Sequence, residues 1–274
     1  MNRKGNILVA VAPNGARKTK SDHPMIPLSS AETAQTANDC MTVGASMIHL
    51  HVRNPDDNSH SLSAELYQKA IDAIDSSCQQ QMFVQVTSEA VGIYTPDEQF
   101  EMIHLLKPGA VSIGLREIKS LDENVIHEHF IKMKAANIHP QIILYNEYDL
   151  NNYHDWLARK VLPGNTYPIL LVIGKPTPEG SFENSYLNDE NVKNLQASSW
   201  MICAFGENEF SAAKLAASLG GHIRIGFENN SVLADGSEAE DNASLINQIA
   251  QHLKNNNLHS ANFAEAADIM RPDW

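Results

Sequence analysis

Apolar and polar positions along the chain fall into two alternating periods. Short, continuous apolar runs occur at ILVAVAP (7–13), SMIHLHV (46–52), MFVQVTS (82–88) and AVSIGL (110–115). Four more follow at PQIILYN (140–146), YPILLVIG (167–174), WMICAFG (200–206) and HIRIGFE (222–228). Runs of this length without polar alternation predict strands covered on both faces, as in a parallel sheet. Helically spaced segments lie between them, several with a start signal. LSSAETAQTANDCMTVGA opens with Ser29 or Ser30 as a cap, SAELYQKAIDAID with Ser63, and TPDEQFEMIHLL with Thr95 followed by Pro96. Residues 122–136, 149–160, 188–197, 209–219 and 240–254 continue the helical spacing. Eight strands alternating with eight helices predict an α/β fold, a (β/α)8 TIM barrel, with residues 1–274 as a single domain. Periodicity alone does not separate a closed barrel from an open doubly wound sheet.

Composition narrows the partners. The 274 residues carry 20 Lys and Arg against 33 Asp and Glu, a net charge of −13, with no basic cluster. That balance argues against nucleic acid or an anionic membrane as the main partner. No apolar run approaches the roughly 20 residues of a membrane span. The N-terminus has basic residues before an apolar run, as a signal peptide does, but Ile7–Ala12 is too short and Pro13-Asn14-Gly15 ends it like a strand. Cys40, Cys78 and Cys203 are far apart and lie in apolar-periodic stretches, which predicts buried free thiols, a reducing compartment and a cytoplasmic location.

In a barrel the chemistry belongs at the C-terminal ends of the strands. Polar residues fall there: Asn14, His49 and His51, Thr87-Ser88-Glu89, Arg116-Glu117, Asn146-Glu147, Lys175, Glu207 and Glu228-Asn229-Asn230. Any loop is polar too, so the distinctive feature is His49-x-His51. Residues two apart on a strand face one side, and two buried imidazoles are relieved of charge by ligating a metal as neutral groups. By the same parity Arg224, Gly226 and Glu228 share a face, and closure brings strand 8 beside strand 1 and strand 1 beside strand 2. Two imidazoles and one carboxylate with an open position make a catalytic zinc site, and the same set suits Fe(II), Mn(II) or Co(II). The bland alternative is one core histidine, one histidine at the mouth and a solvated Glu228. His104, His127, His129 and His154 fall on helical segments and read as surface histidines.

GASMIHLHVRNPDD, QVTSEAVG, LKPGAVSIG and GGHIRIGFENN together resemble the β-keto acid cleavage enzymes, in the same order and over nearly the whole chain. The resemblance implies a (β/α)8 barrel, usually a homotetramer, with Zn2+ on His49, His51 and Glu228. It implies reaction of a small β-keto acid with acetyl-CoA as co-substrate, giving acetoacetate and a new CoA thioester. Arg224 would stabilise the charge that develops on oxygen. Thr87 and Ser88 match the family's serine–threonine pair in exchanged order, as substrate-orienting or proton-relaying hydroxyls; a cap or loop hydrogen bond is the other reading. Asn14, Arg17, Arg116 and Asn229 are the expected substrate contacts.

Two positions depart from the family pattern. Asn229 stands where the family commonly has an aspartate implicated in proton transfer, and an amide is no base. Glu89, Glu117 and Glu147 are the candidate replacements, with Glu147 counted in the catalytic set. Arg17 stands where the amine-recognising enzyme has a glutamate, which predicts a neutral or anionic distal group on the substrate unless Arg17 merely pairs with Asp22. GKPTPEGSFENS after strand 6 reads as a lid over the site or as a plain surface loop. The terminal MRPDW ends in an aromatic suited to a subunit contact.

Overall fold

A computed structural model of the protein describes residues 6–273. The basic residues ahead of strand 1 and the terminal Trp274 therefore lie outside the described residues. Eight parallel strands close into a barrel in which each is paired with its neighbours in chain order. They are β1 (Val9–Val11), β2 (Met47–Leu50), β3 (Phe83–Thr87), β4 (Ala110–Gly114), β5 (His139–Leu144), β6 (Pro168–Ile173), β7 (Ser199–Ala204) and β8 (His222–Ile225). Closure rests on β1, where Ala10 is in register with both Arg224 and Met47. The open-sheet alternative is thereby excluded.

The surrounding helices are α1 (Ser30–Thr42), α2 (Ala64–Ser77), α3 (Pro96–Leu106), α4 (Leu115–Ile118), α5 (Glu123–Ala135), α6 (Glu147–Ala158), α7 (Asp189–Lys193), α8 (Glu209–Ser218), α9 (Asn242–Asn255) and α10 (Phe263–Met270). The expected caps form. Ser29 and Thr95 each complete a capping box, with Glu32 and Glu98, and Ser63 accepts the Leu66 N–H. These contacts satisfy donors that the first turn leaves free. A two-stranded ribbon, Val52–Arg53 with His60–Ser61, covers the end of β2. Among the described residues, no helix is long and apolar enough to cross a membrane.

Two elements were not expected. Helix α4 follows β4 directly, so Arg116 and Glu117 lie on a helical turn rather than in an open loop. Helix α10 is a ninth outer element whose Ala266 and Met270 pack with Leu8, Ala10, Phe83 and Ala110 at the floor of the barrel. The helix expected over 188–197 shortens to α7, because Asn188 caps it and it ends at Lys193.

Alternation along each strand sorts the interior from the outer core. Val9, Val11, Ile48, Leu50, Val111 and Ile113 face the helices in one apolar cluster. The inward positions start apolar at the floor, with Met47, Phe83, Ala110, Leu170 and Met201. Higher up, the inward positions of β2, β3, β4, β5 and β8 are polar and stay buried, at His49, Gln85, Thr87, Ser112, Gln141 and Arg224, while β6 and β7 remain apolar at Val172 and Cys203. The three cysteines are free and buried.

Candidate active site

The two imidazoles converge. His49 and His51 are each 1% exposed, and their Nε2 atoms lie 3.2 Å apart. Glu228 Oε2 is 3.5 Å from His51 Nε2 and 3.8 Å from His49 Nε2. It is buried with no hydrogen-bond partner. For Zn–N and Zn–O bonds of about 2.0–2.1 Å, tetrahedral ligand atoms stand roughly 3.3 Å apart. These three separations bracket that edge, so the residues fit a divalent metal. Burial, then the Arg224 charge, holds His49 well below the ordinary histidine range; burial does the same for His51, although Glu228 opposes it. Both rings are therefore neutral, as ligands must be. Burial works against a charged Glu228, but the charges around it, Arg224 first, outweigh it and keep its carboxyl below the usual range.

Glu228 reaches the cluster by a route the strand parity did not describe. Strand β8 ends at Ile225, and Gly226 turns the chain at φ +142°. A side chain at Gly226 would collide with the Ala12 carbonyl, so only glycine lets the turn lie against β1. Four contacts then pin the turn. Gly226 N–H donates to Glu209 Oε1 (3.1 Å), Phe227 N–H to Asn242 Oδ1 (2.9 Å) and Glu228 N–H to Ala12 O (3.0 Å), while Lys18 Nζ donates to Phe227 O (2.6 Å). Gly15 backs the carboxylate so closely that a Cβ there would sit 2.6 Å from Glu228 Cγ. Arg224 Nη2 donates to Glu228 Oε1 (3.2 Å), leaving Nε and Nη1 buried without partners.

A cavity beside the cluster is lined by His49, Thr87, Glu89, Glu117, Tyr145, Lys175, Phe205, Arg224 and Glu228, among others. Thr87 Oγ1 accepts the Glu89 N–H (3.1 Å) and the Ser112 hydroxyl (3.3 Å). Its own proton is left to donate. Glu89 lies with Oε2 4.0 Å from His51 Nε2, and burial, then Glu228, raises its pKa. Burial, then Glu89, pushes Glu117 up to about 7 against donation from Ala90 N–H and Gln99. Lys175 Nζ stands 5.0 Å from the Phe205 ring and 5.4 Å from that of Tyr145.

Other expected site residues lie elsewhere. Ser88 is turned away from the cavity and donates to Ser112 O (3.0 Å). Glu147 is exposed, on a separate groove with Glu179 and Glu183. Arg116 pairs with Asp149 at 2.7 Å, because the α4 turn directs it outward. Asn14 is buried and donates to Pro27 O (2.9 Å). Asn229 is buried with both side-chain polar atoms unpartnered. Arg17 is 64% exposed and lies 3.7 Å from Glu89, not on Asp22, which accepts the Thr19 N–H. His104 and His129 are bonded to each other at 2.9 Å and stack on Phe100, so they are half-buried rather than free surface groups. Sequence reading gave Lys175 and Tyr145 no role. Their one signal was position, directly after β6 and β5.

The chain is similar to known proteins over nearly its whole length. The chain is 26% identical to a 3-keto-5-aminohexanoate cleavage enzyme of Fusobacterium nucleatum over 273 residues, 96% of this chain and 97% of that one. It is 23% identical to a 3,5-dioxohexanoate:acetyl-CoA acetone transferase of Paraburkholderia graminis, over 99% of this chain and 97% of that one. Among solved structures, the apo form of ObcA superposes with a TM-score of 0.69 at 13% identity, over 90% of this chain and 65% of that one, which bears on the fold alone. The beta-keto acid cleavage enzyme family matches residues 6–271, and the chain belongs to that family.

Proposed function

We propose that the protein transfers the acyl group of a β-keto acid to CoA, using acetyl-CoA and releasing acetoacetate, with zinc held by His49, His51 and Glu228. The observation that carries this reading is the set of three ligand atoms 3.2–3.8 Å apart around an orphaned carboxylate oxygen. Family membership and an acetyl-CoA-dependent relative support it. The metal, when bound, supplies Lewis acidity toward the ketone and carboxylate oxygens of the substrate.

The chain's own residues do the rest. Arg224 is the buried cation for negative charge developing on oxygen, through the two nitrogens that have no protein partner. Thr87 donates its unused hydroxyl proton to the substrate. Glu89 takes the proton from the methylene between ketone and carboxylate, the role Asn229 cannot fill; Glu147 is too remote to do so. The resulting carbanion attacks the acetyl thioester and CoA thiolate leaves. The thiolate then attacks the original ketone, and cleavage of the adjacent carbon–carbon bond gives acyl-CoA and acetoacetate. Proton and thiolate are both returned within the cycle.

Lys175 takes over the selectivity first assigned to Arg17. Arg17 already meets Glu89, and Glu117 is met by neutral donors, whereas Lys175 has no carboxylate within 4 Å among the described residues. Around the closed barrel β6 stands opposite β2, so Lys175 faces the metal ligands across the mouth. A neutral or anionic distal group fits that position. A homotetramer in the cytoplasm is the expected assembly and place.

The test is acetoacetate release from β-keto acids with cationic, neutral and anionic distal groups, with and without acetyl-CoA. Acetyl-CoA-dependent turnover of neutral or anionic members is expected. Turnover without acetyl-CoA would favour a second reading, a different metal-dependent carbon–carbon lyase, for which Asn229 is the motivating residue. No turnover by metal-loaded protein would indicate a silent binder.

A further inference from the structure

Below the metal ligands a line of buried amides crosses the barrel interior. His49 Nδ1 meets Gln85 Oε1 at 2.9 Å, Gln85 Nε2 donates to Gln141 Oε1 at 2.9 Å, and Gln141 Nε2 faces Ile169 O at 3.5 Å and Met201 Sδ at 4.0 Å. His49, Gln85 and Gln141 are each at most 1% exposed. The line runs from β2 through β3 and β5 to β6 and β7, so five strands hold it.

Its far end has no choice of direction. A peptide carbonyl and a thioether only accept, so Gln141 presents its amide nitrogen to them and its oxygen to Gln85. Gln85 then donates to Gln141 and turns its own oxygen to His49. The only group left to fill the bond at His49 is an Nδ1–H. Reversing Gln85 alone would set its oxygen against Gln141 Oε1 at 2.9 Å; reversing Gln141, alone or together with Gln85, would set the Gln141 oxygen against Ile169 O. Either contact is repulsive in a dry interior.

We infer that Gln141, through Gln85, is a positioning residue that fixes the proton of His49 on Nδ1 and keeps the Nε2 lone pair free for the metal. The opposite tautomer would place an N–H among His51 and Glu228 and exclude a cation. Gln85 stands one bond beyond the ligand, where removal of a partner commonly changes metal affinity about 10–100-fold, and Gln141 acts through it. The inference rests on the metal reading only for its consequence, since the tautomer itself is a property of the metal-free chain.

The experiment is long-range 1H–15N NMR of the imidazoles in metal-free protein, with zinc affinity by chelator competition on the same samples. Wild type is expected to show His49 as the Nδ1–H form. Gln141→Met, which removes the directing carbonyl contact, is expected to show both tautomers and about tenfold weaker zinc. Gln141→Glu, whose protonated acid can still donate to Ile169 O and accept from Gln85, is expected to restore the single tautomer and stay within about twofold of wild type. An Nε2–H form in wild type, or an unchanged tautomer and affinity in Gln141→Met, overturns the inference. Should Gln141→Met fail to fold, Gln85→Glu decides. An acid there, protonated toward Gln141 Oε1, can only accept from Nδ1 with its other oxygen, so an Nε2–H His49 or weaker zinc in that variant overturns the inference as well. A correct tautomer in protein that binds no zinc would instead count against the metal reading alone.

Discussion

The two ends of the barrel interior are built to opposite specifications. At the floor, Leu8, Ala10, Met47, Phe83 and Ala110 pack against Ala266 and Met270 of α10 with almost no exposed surface. At the mouth, Glu228 Oε2, Arg224 Nε and Nη1, His51 Nδ1 and both polar atoms of Asn229 are buried without hydrogen-bond partners. Each such group destabilises the fold by roughly 1–3 kcal/mol relative to a satisfied one. A protein tolerates this concentration of loss where a ligand supplies the missing partners. The floor therefore carries stability and the mouth carries chemistry, and substitutions at the two ends should separate cleanly.

The largest stability effect is expected at the floor. Phe83→Ala removes a ring that is 1% exposed and lies under the Arg271 guanidinium, 4.9 Å from its centroid. Loss of about 3–5 kcal/mol in denaturant unfolding is predicted, with the metal affinity of the folded fraction unchanged. A weakened site in folded Phe83→Ala protein would mean that the two ends are coupled.

Gly15→Ala should do the reverse. Its new methyl meets Glu228 Cγ, and φ is +59°, so calorimetric titration should show metal binding weakened about tenfold. The stability loss should stay near 1 kcal/mol. Unchanged binding would show that Gly15 does not hold the carboxylate in place.

The smallest effect is a pH dependence at the floor. His222 Nδ1 accepts the Leu8 N–H at 3.1 Å, and burial lowers its pKa to about 4. The unfolded chain takes up this proton near pH 6.5, while the folded state resists it down to about pH 4. Stability from this group is thus fully present above pH 6.5 and falls as pH drops toward 4. Thermal melts should show a shallower decline over that window in His222→Gln than in wild type. Identical slopes would remove His222 from the account.

Much of the fold was legible because its signals are local. Apolar runs, caps at Ser29, Ser63 and Thr95, and short connections need only neighbouring residues. Helix α10 was overlooked although Asn262 and Glu265 form a capping box, because it follows a barrel already complete by count. Within the candidate site, His49 and His51 were legible from strand parity. Glu228 was placed by the same parity, yet the structure delivers it from a glycine turn beyond the strand. Glu147 and Arg116 could not be sorted by sequence, since the direction of a residue after a strand depends on the next turn of chain. Gln85 and Gln141 were invisible for a related reason: they sit 56 positions apart and meet only when the barrel closes.

The central claim is that the orphaned Glu228 oxygen and the two imidazoles beside it are completed by a metal. Metal content by elemental analysis, after chelation and reloading, tests it on wild type beside Glu228→Gln. About one zinc per chain in wild type and less than a tenth of that in the variant is the predicted result. No bound metal in wild type, or equal retention by Glu228→Gln, would contradict it.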